Sequence, residues 1–95
     1  MKRKTTATDL AKMLKISSAR GMEAVIKARL ISAVLKTVEK DAVTHAELAK
    51  RSGLPRSAVT GILSGSLQKV TIDRVLRLVE AVGLVADVRV HKKTA

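Results

Sequence analysis

The stretch Thr44-to-Ser64, THAELAKRSGLPRSAVTGILS, decides the fold. Thr44 stands before a helical run, and Glu47 stands three residues on. That spacing is a capping box, in which the threonine hydroxyl takes the Glu47 N–H and the carboxylate returns to the cap N–H. Leu48 and Ala49 then face inward, and Ala49 is small where a second helix must cross closely. Gly53 falls where a helix ends with positive φ, and Leu54 plugs the turn. Val59 and Ile62, three apart, give the next helix its inner face. Two helices joined by a tight turn require this order. In such a unit the second helix enters the major groove of DNA.

Composition agrees. Ninety-five residues make one domain with an arm, and an apolar fraction of 46 % supports a small core. A chain this short is marginal alone, so a dimer is expected. Nineteen basic residues against eight acidic ones give a net charge of +11, which attracts polyanions. The chain has no Phe, Trp or Tyr. Single-strand binders and RNA-recognition sheets stack bases on such rings, so duplex DNA is the better polyanion. There is no cysteine, hence no disulfide or zinc-thiolate chemistry. The basic N-terminus lacks an apolar signal core, and no apolar run is long enough to span a membrane, so the cytoplasm, with the nucleoid, is the expected location.

Outward from the motif, residues 1–8 read as a flexible basic arm and residues 91–95 as a basic tail, with the domain between them at 9–90. Asp9 to Leu14 make a short helix with Leu10, Met13 and Leu14 on one side. Ser17 and Ser18 are cap candidates for a long helix over 19–40. Its stripe is Ala24, Ala28, Ile31, Leu35 and Val38, at spacings of four, three, four and three, with Lys27, Lys36 and Lys40 off it. Gly65 ends the second motif helix. Thr71 caps a further helix, with Asp73 in its first turn and Ile72, Val75, Leu76, Val79 and Val82 on its apolar face. Gly83 stops it. Leu84 to Val90 then alternates strictly, a strand pattern over 84–90. A lone strand leaves its backbone unpaired. The simplest remedy is the same strand from a second copy, which makes Leu84, Ala86, Val88 and Val90 the dimerisation residues. The alternative lays it along the chain's own N-terminal arm. The fold expected is mainly α: five helices and a short C-terminal strand paired across a dimer.

From about Asp9 to Val90 the sequence resembles the XRE-type (Cro/repressor-like) regulators, in particular the HigA-like antitoxins. The residues that carry this are THAELAKRSGLPRSAVTGILSG, then KVTIDRVLRLVEAVGL, then the VRV ending. The resemblance implies a five-helix DNA-binding core, dimerisation, and autoregulation of an operon that also encodes a toxin. This sequence departs from the pattern. His45 stands where the family usually has a phosphate-contacting Gln, and Pro55-Arg56 stand where Ser-Gln is common. Pro55 suits a first helical turn. Arg56 shifts base preference from adenine toward guanine, to which Arg is bidentate. Gly61 stands where a polar reader is common.

Arg56, Ser57 and Thr60 lie on the outer face of the second motif helix and are the expected base readers, the bland alternative being solvated surface. Gly61 either lets the backbone approach DNA or merely weakens the helix. Lys50, Ser66, Gln68, Lys69 and Thr71 flank that helix as expected phosphate contacts, joined by Thr44, His45 and Pro55 at the helix starts. Arg51, Arg74 and Arg77 serve likewise or form a solvated charged face. His45 and His91 have no companions at ligand spacing, so no metal site and no cofactor are expected. No Gly-rich phosphate loop, nucleophile elbow or carboxylate pair supports an enzyme.

The expected function is a sequence-specific double-stranded DNA-binding regulator that reads a near-palindrome as a homodimer. As an autorepressing antitoxin it would hold its toxin away from the groove, on residues 9–40. A phage or mobile-element repressor is the first alternative. An interaction adaptor with sequence-blind DNA binding is the second.

Overall fold

The computed structural model describes residues 18–93. Four helices follow one another: α1 (Ser18–Asp41), α2 (His45–Ser52), α3 (Arg56–Leu63) and α4 (Ile72–Ala81). The short helix expected over 9–14, the arm over 1–8 and the Ser17 cap lie outside the described residues. So the five-helix count becomes four helices among those described.

The two motif helices form where their ends are chemically marked. The Thr44 hydroxyl accepts the Glu47 N–H at 3.1 Å, capping α2. The Glu47 carboxylate takes Arg51 Nε at 3.0 Å, one turn along the helix. Gly53 closes α2 at φ 73°, its N–H on the Ala49 carbonyl. This left-handed cap is inexpensive for glycine and costs about 1–2 kcal/mol for other residues. Pro55 sits one residue before α3, extended at ψ 145°, and its missing N–H would have been an orphan there anyway. At α4, the Thr71 hydroxyl accepts the Arg74 N–H at 3.3 Å.

The core is Ile31 and Val34 from α1, Leu48 from α2, Leu54 from the turn, Val59, Ile62 and Leu63 from α3, and Val75, Leu78 and Val79 from α4. α1 packs mainly along α4, and α2 bridges α3 and α4. Val38, Ala49 and Val82 pack partly buried at its margin.

Two stripes differ from the pattern read in the sequence. On α4 it is Leu78, fully buried, that faces the core, while Leu76 is exposed. With 3.6 residues per turn, position 78 continues the 75, 79, 82 row and position 76 does not. On α1 the inward row is Lys27, Ile31, Val34 and Val38, so Ala24, Ala28 and Leu35 are exposed. Val34 is in the core, and Lys27 extends the same row. It is only 4 % exposed, its ammonium donating to Glu23 Oε1 at 3.1 Å and to the Leu67 carbonyl at 3.4 Å. A lysine can occupy an inward position when its stem packs and its head is satisfied.

The strand expected over 84–90 is not present: no strand occurs among the described residues. The chain offers that segment no described neighbour to pair with, and a strand exists only through its ladder. Leu84 packs on the core instead, its N–H on the Val79 carbonyl at 3.0 Å. Beyond it Val85, Val88 and Val90 stand 83–91 % exposed.

Candidate nucleic-acid interface

α3 is amphipathic in the sense a groove-reading helix needs. Val59, Ile62 and Leu63 are buried. Arg56, Ser57 and Thr60 are exposed on the opposite side, and Gly61 is half-buried between them. A Cβ built at Gly61 would meet nothing within 4 Å. No neighbouring atom therefore requires glycine there. Ser64, at the helix end, is exposed on the same side, its hydroxyl on the Gly61 carbonyl at 3.0 Å. It is not among the base readers expected from the sequence, which assigns the helix end to Gly65.

Around α3 the other candidates fall into two groups. On the α2 side, Lys50 is exposed and Thr44 is engaged as the cap. His45 turns its ring toward α3, with Nδ1 2.9 Å from Thr60 Oγ1. On the far side, the loop between α3 and α4 carries Ser66, Gln68 and Lys69, all exposed. That loop is held by the Ser66 N–H on the Gly61 carbonyl at 3.0 Å and the Val70 N–H on the Leu67 carbonyl at 3.2 Å. The buried Lys27 head ties the Leu67 carbonyl to α1 as well. The Thr71 hydroxyl accepts the Arg74 N–H as the α4 cap and keeps its own proton to donate.

A shallow groove lined by Arg20, Glu23, Lys27, Gln68 and Lys69 runs between α1 and this loop. It brings Arg20 beside two of the expected phosphate contacts. Pattern reading missed Arg20 because only the tertiary packing of α1 on the loop makes them neighbours. Arg51 and Arg77 form i,i+4 pairs with Glu47 and Asp73 at 3.0 and 3.1 Å, and Arg51 also donates to the Ala81 carbonyl at 3.4 Å, tying α2 to the end of α4. No group of three or more His, Cys, Asp or Glu side chains among the described residues could hold a metal ion. No described helix is long and apolar enough to cross a membrane.

The model of a helix-turn-helix domain family matches residues 14–91. The chain belongs to that helix-turn-helix domain family. Its class is therefore that of DNA-binding regulators, and DNA is the partner that goes with the domain. No match was found among curated proteins, and none among solved structures.

Proposed function

We propose that this protein is a sequence-specific double-stranded DNA-binding regulator that acts as a homodimer on a near-palindrome, beside the nucleoid in the cytoplasm. Each subunit inserts α3 into the major groove. The observation that carries the reading is the exposed face of α3, where Arg56, Ser57 and Thr60 supply hydrogen-bonding heads around Gly61 and no bulky side chain intervenes. Arg56 reads guanine, Ser57 and Thr60 reach neighbouring base edges, and the Gly61 backbone approaches closely. Thr44, His45, Lys50, Pro55, Ser66, Gln68, Lys69 and Thr71 contact phosphates and fix the register without reading sequence.

Dimerisation follows from the C-terminal segment. Leu84 is taken by the core, so Ala86, Val88 and Val90 are the residues left to a partner copy. Val88 and Val90, 83 % and 91 % exposed on the same face of the alternating pattern, favour pairing with an identical segment, which would bury their apolar surface and give the backbone a ladder.

We further propose an antitoxin role, in which the regulator represses its own operon. Met22 and Ile26, one turn apart and 49 % and 45 % exposed on α1, support a protein-binding face on α1. A phage or mobile-element repressor would use the same DNA face without that partner.

Nuclease footprinting on the DNA upstream of its own reading frame tests the DNA reading. Two protected half-sites about 10 base pairs apart are expected of a helix-turn-helix dimer. Uniform, salt-sensitive protection without boundaries would make the protein a sequence-blind binder and overturn it.

A further inference from the structure

Thr60 has an unusual hydrogen-bond partner for a helical threonine. The hydroxyl of Thr37 on α1 takes the ordinary one, the carbonyl four residues back, Ala33, at 3.1 Å. Thr60 Oγ1 lies instead 2.9 Å from Nδ1 of His45, fifteen residues away on the preceding helix. A β-branched side chain has few χ1 choices, so this bond fixes where the Thr60 oxygen points. It also fixes what that oxygen can offer.

We infer that His45 is a positioning residue that makes Thr60 an acceptor-only reader of base edges. The inference rests on the reading that α3 enters the major groove with His45 at a phosphate. A neutral imidazole has one N–H and one lone-pair nitrogen. A phosphate oxygen only accepts, so a ring facing it through Nε2 must carry its proton there. Nδ1 is then the lone-pair nitrogen and accepts the Thr60 hydroxyl proton. Thr60 Oγ1 keeps only lone pairs for DNA. In the major groove the amines that donate to such an oxygen are adenine N6 and cytosine N4, whereas guanine O6 and N7 and thymine O4 accept. His45 thus joins a sequence-blind phosphate contact to a base choice at Thr60, which complements the guanine preference of Arg56 beside it.

The test uses the full-length protein and a set of duplexes carrying each of the four base pairs in turn at every position of the half-site. The wild type should favour adenine or cytosine at the position that Thr60 faces by about threefold to tenfold, the net worth of one hydrogen bond. Thr60→Val should abolish that preference alone. His45→Ala should lower affinity for all duplexes and, at that one position, admit guanine or thymine, because the hydroxyl proton is released. The double variant should show the Thr60→Val profile. His45→Gln, whose amide can accept from Thr60 and donate to phosphate, should keep the wild-type profile. His45→Lys, which can only donate, should move it toward guanine or thymine. That second pair decides the matter even if His45→Ala fails to fold. Identical profiles for the Gln and Lys variants, or a Thr60→Val protein with the wild-type profile, would overturn the inference. A wild type without preference at any position would instead overturn the DNA-reading proposal beneath it.

Discussion

Replacing Gly61 by alanine separates what the helix needs from what its target needs. Gly61 lies inside α3 and is absent from the positive-φ residues, so its backbone is one that alanine adopts without strain. A Cβ there meets nothing within 4 Å, so no clash offsets the gain. The expected stabilisation is the full propensity difference, about 0.8–1.0 kcal/mol. For a domain of this size that raises Tm by roughly 4–8 °C. The same methyl would stand on the face offered to DNA, between Ser57 and Ser64. Operator affinity should fall by about 1–3 kcal/mol, comparable to one mismatched base pair. Thermal unfolding by circular dichroism reads the first effect and fluorescence anisotropy on the operator the second. An unchanged or lower Tm would refute the account of the helix. A raised Tm with undiminished affinity would refute the close approach of Gly61 to DNA.

Three further pairs of variants have expected outcomes. Gly53→Ala should destabilise by about 1–2 kcal/mol, because φ 73° is strained for alanine although space is open. Ala42→Gly, at φ 52°, should act in the opposite direction by a smaller amount; denaturant midpoints of the two variants check both signs. Lys27→Met should hold stability within about 1.5 kcal/mol, since an apolar stem of similar volume replaces a buried ion. Lys27→Ala should lose about 2 kcal/mol or more through the space left beside Ile31, as chemical denaturation will show. Lys69→Ala should weaken operator and scrambled DNA alike and flatten the plot of log affinity against log salt by about one per subunit, whereas Arg77→Ala, at an exposed paired site, should leave that slope nearly unchanged.

The motif was legible because its determinants are local. Thr44 caps, Gly53 terminates, and Val59 and Ile62 repeat at helical spacing, all within 21 residues. Non-local determinants were harder. Lys27 reads as a surface residue until the Leu67 carbonyl, forty residues on, is known to receive it, and together with the buried Val34 it turns the inward face of α1 away from Ala24, Ala28 and Leu35. Leu76 and Leu78 are equally apolar, and the row of 75, 79 and 82 at 3.6 residues per turn continues through Leu78, which is buried, and not through Leu76. The strict alternation over 84–90 is real, but alternation specifies faces and not a partner, and no strand forms among the described residues. At the interface, sequence spacing places Arg56, Ser57 and Thr60 outside. It gave no sign of the His45–Thr60 hydrogen bond, because a link between two helices depends on how they cross. Arg20 became a neighbour of Lys69 for the same reason.

The central claim is that α3 reads base sequence, and binding of wild type and Arg56→Ala to the protein's own upstream DNA and to a scrambled duplex tests it most directly. At about 0.15 M salt, where purely electrostatic binding is typically 0.1 mM to micromolar, the wild type should prefer its upstream DNA by roughly a thousandfold, and Arg56→Ala should lose most of that preference. Equal, weak, salt-sensitive binding of both proteins to both duplexes would contradict the claim and leave α3 a structural helix on a basic surface.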